Sequence, residues 1–130
     1  GRREAMTGYK ATIRYSTKEL SPKEKIMYKD TTKCISLDTA TQSESVFIDV
    51  DMAVVLDIHN EKSDNKDYTK YVIVDKDGNR YVTGSESFWS AFESIYEELA
   101  DAGIDDFQIV AYRMPSKNYQ GRDFITCALG

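Results

Sequence analysis

The chain has 130 residues, 41% of them hydrophobic and 30% charged, which suits one globular domain with a single core and leaves too little for two. Its only cysteines, Cys34 and Cys127, stand far apart and argue against a disulfide framework or a zinc site; no apolar run approaches the ~20 residues of a membrane span, and no basic-then-apolar leader opens the sequence. A soluble cytoplasmic protein is expected, and the net charge of −5 counts against an evenly basic surface.

Gly1 to Ala5 (GRREA), ahead of Met6, looks like a tag remnant and is set aside; residues 6–44 read as an N-terminal extension of a single domain spanning 1–130. Within the extension, residues 9–15 (YKATIRY) have the composition of an extra strand. Ser21-Pro22-Lys23-Glu24 is a capping box with proline at the first helical position, predicting a helix of about ten residues or fewer. Residues 45–58 (SVFIDVDMAVVLDI) are β-branched and apolar, and the run is long for one strand, so a bend or a bulge is predicted in it. Residues 59–67 (HNEKSDNKD) are polar without periodicity and read as a loop.

Residues 68–75 (YTKYVIVD) and 80–83 then form a hairpin across Asp77-Gly78. The helix signal is strongest next: Phe88, Phe92, Ile95, Leu99 and Ala102 recur at steps of three and four, Trp89 and Tyr96 widen the stripe, Ser85 offers an N-cap and Gly103 a stop. Phe88, Trp89 and Phe92 are assigned to the core beneath it. Residues 107–114 (FQIVAYRM) and 123–129 (DFITCAL) read as two last strands.

Long strand, loop, hairpin, helix and a final strand pair is the order of a mainly β, five-stranded Greek-key barrel of the OB type, with its helix between the third and fourth strands and an extra N-terminal strand and helix. A parallel α/β sheet would need a helix between most strands. OB barrels hold oligonucleotides or oligosaccharides on the face of strands two and three and in the loops joining strands one to two and four to five. Here those loops are residues 59–67 and 115–122, and the second carries Lys117, Tyr119 and Arg122.

Cations that neutralise phosphates beside rings that stack on bases suit single-stranded nucleic acid, because every base has a π-face. The candidate contacts are therefore Lys62, Lys66, Lys70, Tyr71, Arg80, Tyr112, Arg113, Lys117, Tyr119 and Arg122. Charge distribution permits this in an acidic protein. Residues 1–36 hold nine Lys/Arg against four Asp/Glu, residues 37–111 five against seventeen, and residues 112–130 three against one, so basic ends flank an acidic middle.

No catalytic, metal or cofactor site is expected. His59 is the sole histidine, too few for a triad or a multi-histidine metal site. Asp49 and Asp51, two apart, should share one side of a strand without completing a two-metal clamp. Asp75, Asp77, Asn79 and Glu86 fit four positions of a calcium loop whose required glycine is Arg80 instead.

The hairpin VDKDGNRYVTGSES (74–87), the amphipathic helix, the strand FQIVAYR and the ending SKNYQGRDFITCAL give residues 71–129 a resemblance to the small single-stranded-DNA-binding proteins encoded by phages and mobile elements of Gram-positive bacteria. In that family a loop with Ser-Lys and a glycine likewise precedes a final strand led by an aromatic residue. The resemblance implies an OB fold and a non-enzymatic, largely sequence-independent coat for exposed single strands in phage replication or recombination. Single-stranded DNA is then the partner, with replication or recombination proteins and, through unpaired sheet edges, a homo-oligomer as further ones. Many bacterial relatives end in an acidic tail that recruits other proteins; the ending CALG lacks one, so recruitment by that route is not expected. The alternative is a phage-encoded DNA mimic whose acidic middle, with Asp64, Asp67, Asp101, Asp105 and Asp106, blocks a host nucleic-acid-binding protein. An oligosaccharide binder would need aromatic platforms but no cations.

Overall fold

One strand organises the molecule. In the computed structural model, which describes residues 8–116 and 123–130, the apolar run becomes a fifteen-residue strand, here β3 (Val46–Asn60). The remaining elements in chain order are β1 (Tyr9–Ser16), α1 (Pro22–Lys29), β2 (Ile35–Ser36) and α2 (Leu37–Ala40) before it, and β4 (Asp67–Asp75), β5 (Arg80–Thr83), α3 (Glu86–Asp101), β6 (Phe107–Pro115) and β7 (Asp123–Leu129) after it. They build a seven-stranded sheet in the order β2-β5-β4-β3-β6-β7, with β1 added on β3. On one edge β3 pairs with β4; on the other, its first residues pair with β6 and its last with β1. Between those two partners the backbone of Ala53 is held by Thr17, whose N–H donates to the Ala53 carbonyl and whose hydroxyl accepts the Ala53 N–H, both at 3.0 Å.

The predicted irregularity is present as a register shift between Val50 and Met52. An extra residue exchanges the two faces of a strand. Before the shift Ile48 and Val50 face the concave side; after it Ala53 does, while Met52, Val54, Leu56 and Ile58 face the opposite side. The same strand thus supplies two apolar clusters. The concave cluster is filled by Phe88 and Phe92 of α3 together with Ile73, Ile109, Ala111, Ile125, Cys127 and Leu37. The outer one is closed by α1 and its flanks, through Leu20, Tyr28 and Cys34 against Val72, Val74 and Val82.

Local chemistry explains the boundaries. Ser21 and Glu24 exchange both bonds of the capping box, and α1 runs eight residues. Asp75 organises the β4–β5 turn, its Oδ1 accepting the N–H groups of Asp77 (2.9 Å) and Asn79 (2.8 Å) and its Oδ2 the Asn79 amide (3.1 Å). Gly78 takes φ 90° there, a left-handed conformation that costs glycine little. The Asp75 carboxylate, at the first position of the incomplete calcium-loop pattern, is a turn acceptor. At α3 the Ser85 hydroxyl accepts the Phe88 N–H at 3.1 Å, and Gly103 follows the helix with φ 77°.

β3 to β7 form an OB-like curled half-barrel, with α3 between its third and fourth strands. Among the described residues β5 and β7 share no ladder. The hydroxyls of Ser85 and Ser87, at the start of α3, donate instead to the Ile125 carbonyl of β7 at 3.3 and 2.8 Å, so the helix entrance bridges the seam.

Three expectations change. The loop between β3 and β4 is residues 61–66 rather than 59–67, because His59, Asn60 and Asp67 join the ladder. Among the described residues there are three helices, not one or two; β2, of two residues, and α2, of four, are too short for any periodicity to show. The shift at Val50/Met52 also removes the simple alternation assumed for Asp49 and Asp51: Asp49 accepts the Gln108 amide at 3.0 Å and Asp51 the Lys18 ammonium at 2.6 Å.

Candidate nucleic-acid interface

Three sheet surfaces could meet a ligand, and their side chains differ in chemistry. The first is the outer face of β4 and β5, where the sequence places the groove. It is largely occupied. α1 lies over it, and Arg80 of β5 donates from Nη1 to the carbonyls of Met27 (2.7 Å) and Asp30 (3.3 Å) at the end of that helix. A guanidinium at carbonyls left open by a helix C-terminus is a favourable helix-end contact. Beyond the helix, Lys70 lies with Nζ 5.9 Å from the Tyr68 ring centroid.

The second surface continues the concave face past α3, on the far ends of β1, β3 and β4. Lys10, His59 and Asp67 share one row of the register, and Thr12, Asp57 and Thr69 the next. These residues line a polar hollow of about 470 Å³. Arg14 is paired with Asp57, and each stabilises the other's charge, raising the guanidinium and lowering the carboxyl. Tyr71 stands one row further in, opposite Val55. It is only 6% exposed, its ring stacks on Trp89 at 5.0 Å and 6°, and burial raises its phenol. The aromatic group assigned to DNA in the sequence thus has a core partner.

His59 sits between Asp67, 2.7 Å from Nδ1, and Glu61, 2.5 Å from Nε2; Lys66 reaches Glu61 at 3.4 Å. Its pKa is raised, chiefly by the bond to Asp67 and then by Glu61. A raised value means the folded chain holds the proton more tightly than the unfolded one. The resulting stabilisation is complete below the ordinary histidine value of about 6.5 and is lost as the pH climbs through the raised one. Thermal melts of the wild type should therefore fall across that window, while His59→Gln melts should stay level; parallel curves for the two proteins would rule out this link.

The third surface is the outer face of the first half of β3 with β6 and β7. Its register rows are Phe47, Val110 and Ala128; Tyr112 and Thr126; and Met114 and Phe124. Phe47 is 60% exposed, and Met114 and Phe124 are exposed as well. Tyr112 is half-buried among them. The adjoining Arg113 points to the other side, donating to the Asp38 carbonyl at 2.6 Å and the Thr41 hydroxyl at 3.2 Å, with Asp123 at 3.7 Å. It ties α2 to β6.

Of the sequence-predicted contacts, Tyr112 lies on this third face, Lys62 and Lys66 in the 61–66 loop and Lys70 on β4, while Tyr71, Arg80 and Arg113 have the internal partners given above. Lys117, Tyr119 and Arg122 lie outside the described residues. The reading of residues did not single out Phe47, although a signal existed: in VFIDV the ring has the parity of Asp49, not that of Ile48 and Val50. Of the acids proposed for mimicry, Asp67 holds His59 and Asp106 holds Lys76.

Neither cysteine is placed as a nucleophile. Burial raises Cys127 to about 12 and raises Cys34. Among the described residues no group of three or more His, Cys, Asp or Glu side chains is placed to hold a metal ion, and no helix is long and apolar enough to cross a membrane.

Comparisons with curated proteins and with solved structures return no match. A family model described as Phage Single-stranded DNA-binding protein matches residues 4–130, taking in the strand and helix ahead of the barrel as well as the barrel itself. The chain belongs to that family, and single-stranded DNA binding in a phage context is the function this membership supports.

Proposed function

We propose that this protein coats exposed single-stranded DNA without regard to base sequence, in the replication or recombination of a phage or related element in the host cytoplasm, and performs no chemistry of its own. The family match over residues 4–130 carries this reading, and the OB-like half-barrel supports it. Lys62 and Lys66 in the 61–66 loop, Lys70 on β4, and Lys117 and Arg122 between β6 and β7 would neutralise phosphates; Tyr112 and Tyr119 would stack on bases.

Fluorescence anisotropy with labelled oligo-dT tests it, beside a duplex of matched length. Binding should be confined to the single strand and weaken as salt rises, because each neutralised phosphate releases counterions. Lys117→Ala and Arg122→Ala should each flatten the log–log salt slope by roughly one contact, and Tyr119→Ala should weaken binding with the slope nearly unchanged. No binding at low salt, or a preference for duplex, would end the proposal.

A further inference from the structure

The family names the ligand class but assigns no path across the molecule, and the OB face expected to carry it lies beneath α1. Resting on the reading above, we infer that the bases of single-stranded DNA stack along a diagonal of three rings, Phe47, Tyr112 and Phe124, on the outer face of β3, β6 and β7.

The register defines the diagonal. Phe47 faces Val110 across the β3–β6 ladder, and Tyr112 is two residues further along β6; Tyr112 faces Thr126 across the β6–β7 ladder, and Phe124 is two residues further along β7. Each step crosses one strand and one pleat, so successive rings stand about 7–8 Å apart. None of the three stacks on another ring among the described residues, so each keeps a face for a partner. Small Thr126 and Ala128 alternate with Phe124 on the same face of β7, leaving room around the rings.

Their exposure needs an explanation. On the opposite, concave side the rings around α3 are packed: Phe88 and Phe92 are fully buried, Tyr71 lies on Trp89, and Phe107 lies against Phe92. The outer face of β4 and β5 is apolar too, and the chain covers it with α1. Nothing in the described chain covers the outer face of β6 and β7. The diagonal ends at the Met114/Phe124 row, and in sequence Lys117, Tyr119 and Arg122 fall between those two residues. Rings set singly along a line serve a ligand that offers one flat face per repeat, as a polynucleotide does.

The test substitutes the rings and reads both affinity and salt slope with labelled oligo-dT. Phe47→Ala and Phe124→Ala should each weaken binding on the order of tenfold, with the slope unchanged because no charge is removed. Phe47→Leu, which keeps apolar area without a π-face, should lose nearly as much as alanine, and Phe124→Tyr should retain affinity. Tyr15→Ala, at an exposed ring on β1, is the control and should bind as wild type. Wild-type affinity in both alanine variants would overturn the path while leaving the protein a single-strand binder; failure of the wild type itself to bind would refute the function instead. Sedimentation of each variant beside wild type adds a second decision. A fall in mass on losing Phe47 or Phe124, with oligo-dT binding intact, would show that a second copy of the chain covers this face and would also overturn the proposal.

Discussion

Phe92→Ala should lower the free energy of unfolding by about 3–5 kcal/mol, the range found when a fully buried phenylalanine is truncated. Phe92 has no accessible surface, and its ring meets Phe88, Trp89, Tyr96 and Phe107, with centroids 5.2 to 6.4 Å away. These neighbours come from α3 itself and from β6, so collapse of the space would require the helix to move against the sheet. A domain of this size has about 5–15 kcal/mol in total, so the loss is a large share of it. Urea titration should show a lower midpoint at an unchanged slope, with the thermal midpoint down by on the order of 10–20 °C. A loss below about 1 kcal/mol would mean that the ring does not hold helix and sheet together.

The second large effect concerns the β4–β5 turn. Asp75→Ala removes the acceptor for two backbone N–H groups and one side-chain amide in a position that is 9% exposed. Leaving such donors without a partner costs about 2–3 kcal/mol. Asp75→Asn keeps one carbonyl oxygen for the two backbone donors and should recover most of that loss. If the alanine and asparagine variants unfold at the same urea concentration, the carboxylate geometry is not what sets the turn.

Much of this architecture was legible because its signals are local. A capping box, a stripe at helical spacing and an Asp-Gly turn each specify a few residues by their own chemistry, and α1, α3 and the β4–β5 turn follow them. The length of residues 45–58 likewise foretold the irregularity in β3. What could not be read was which neighbour each side chain would find. Met52, Ala53, Val54, Val55 and Leu56 are apolar at both parities, which signals a strand buried on both faces. Nothing in that run says that a helix thirty residues upstream supplies the second cover.

Residue type alone marked Tyr71, Arg80 and Arg113 as DNA contacts. Only the tertiary structure reveals Trp89 beneath Tyr71, and the carbonyls that the two guanidinium groups join from separate segments. A planar fork with several donors serves such junctions as well as it serves phosphate. Phe47 went unremarked because a phenylalanine in a strand is ordinarily core.

The double duty of β3 bears on how the molecule comes apart. Alternate residues of one strand are shared between two apolar layers, so loosening either layer strips a wall from the other. Hydrogen exchange at the centre of β3 should then track global unfolding, and removal of the leading segment would leave Met52, Val54, Leu56 and Ile58 as a bare greasy stripe. The barrel and the strand and helix ahead of it should then melt together, in a single calorimetric transition.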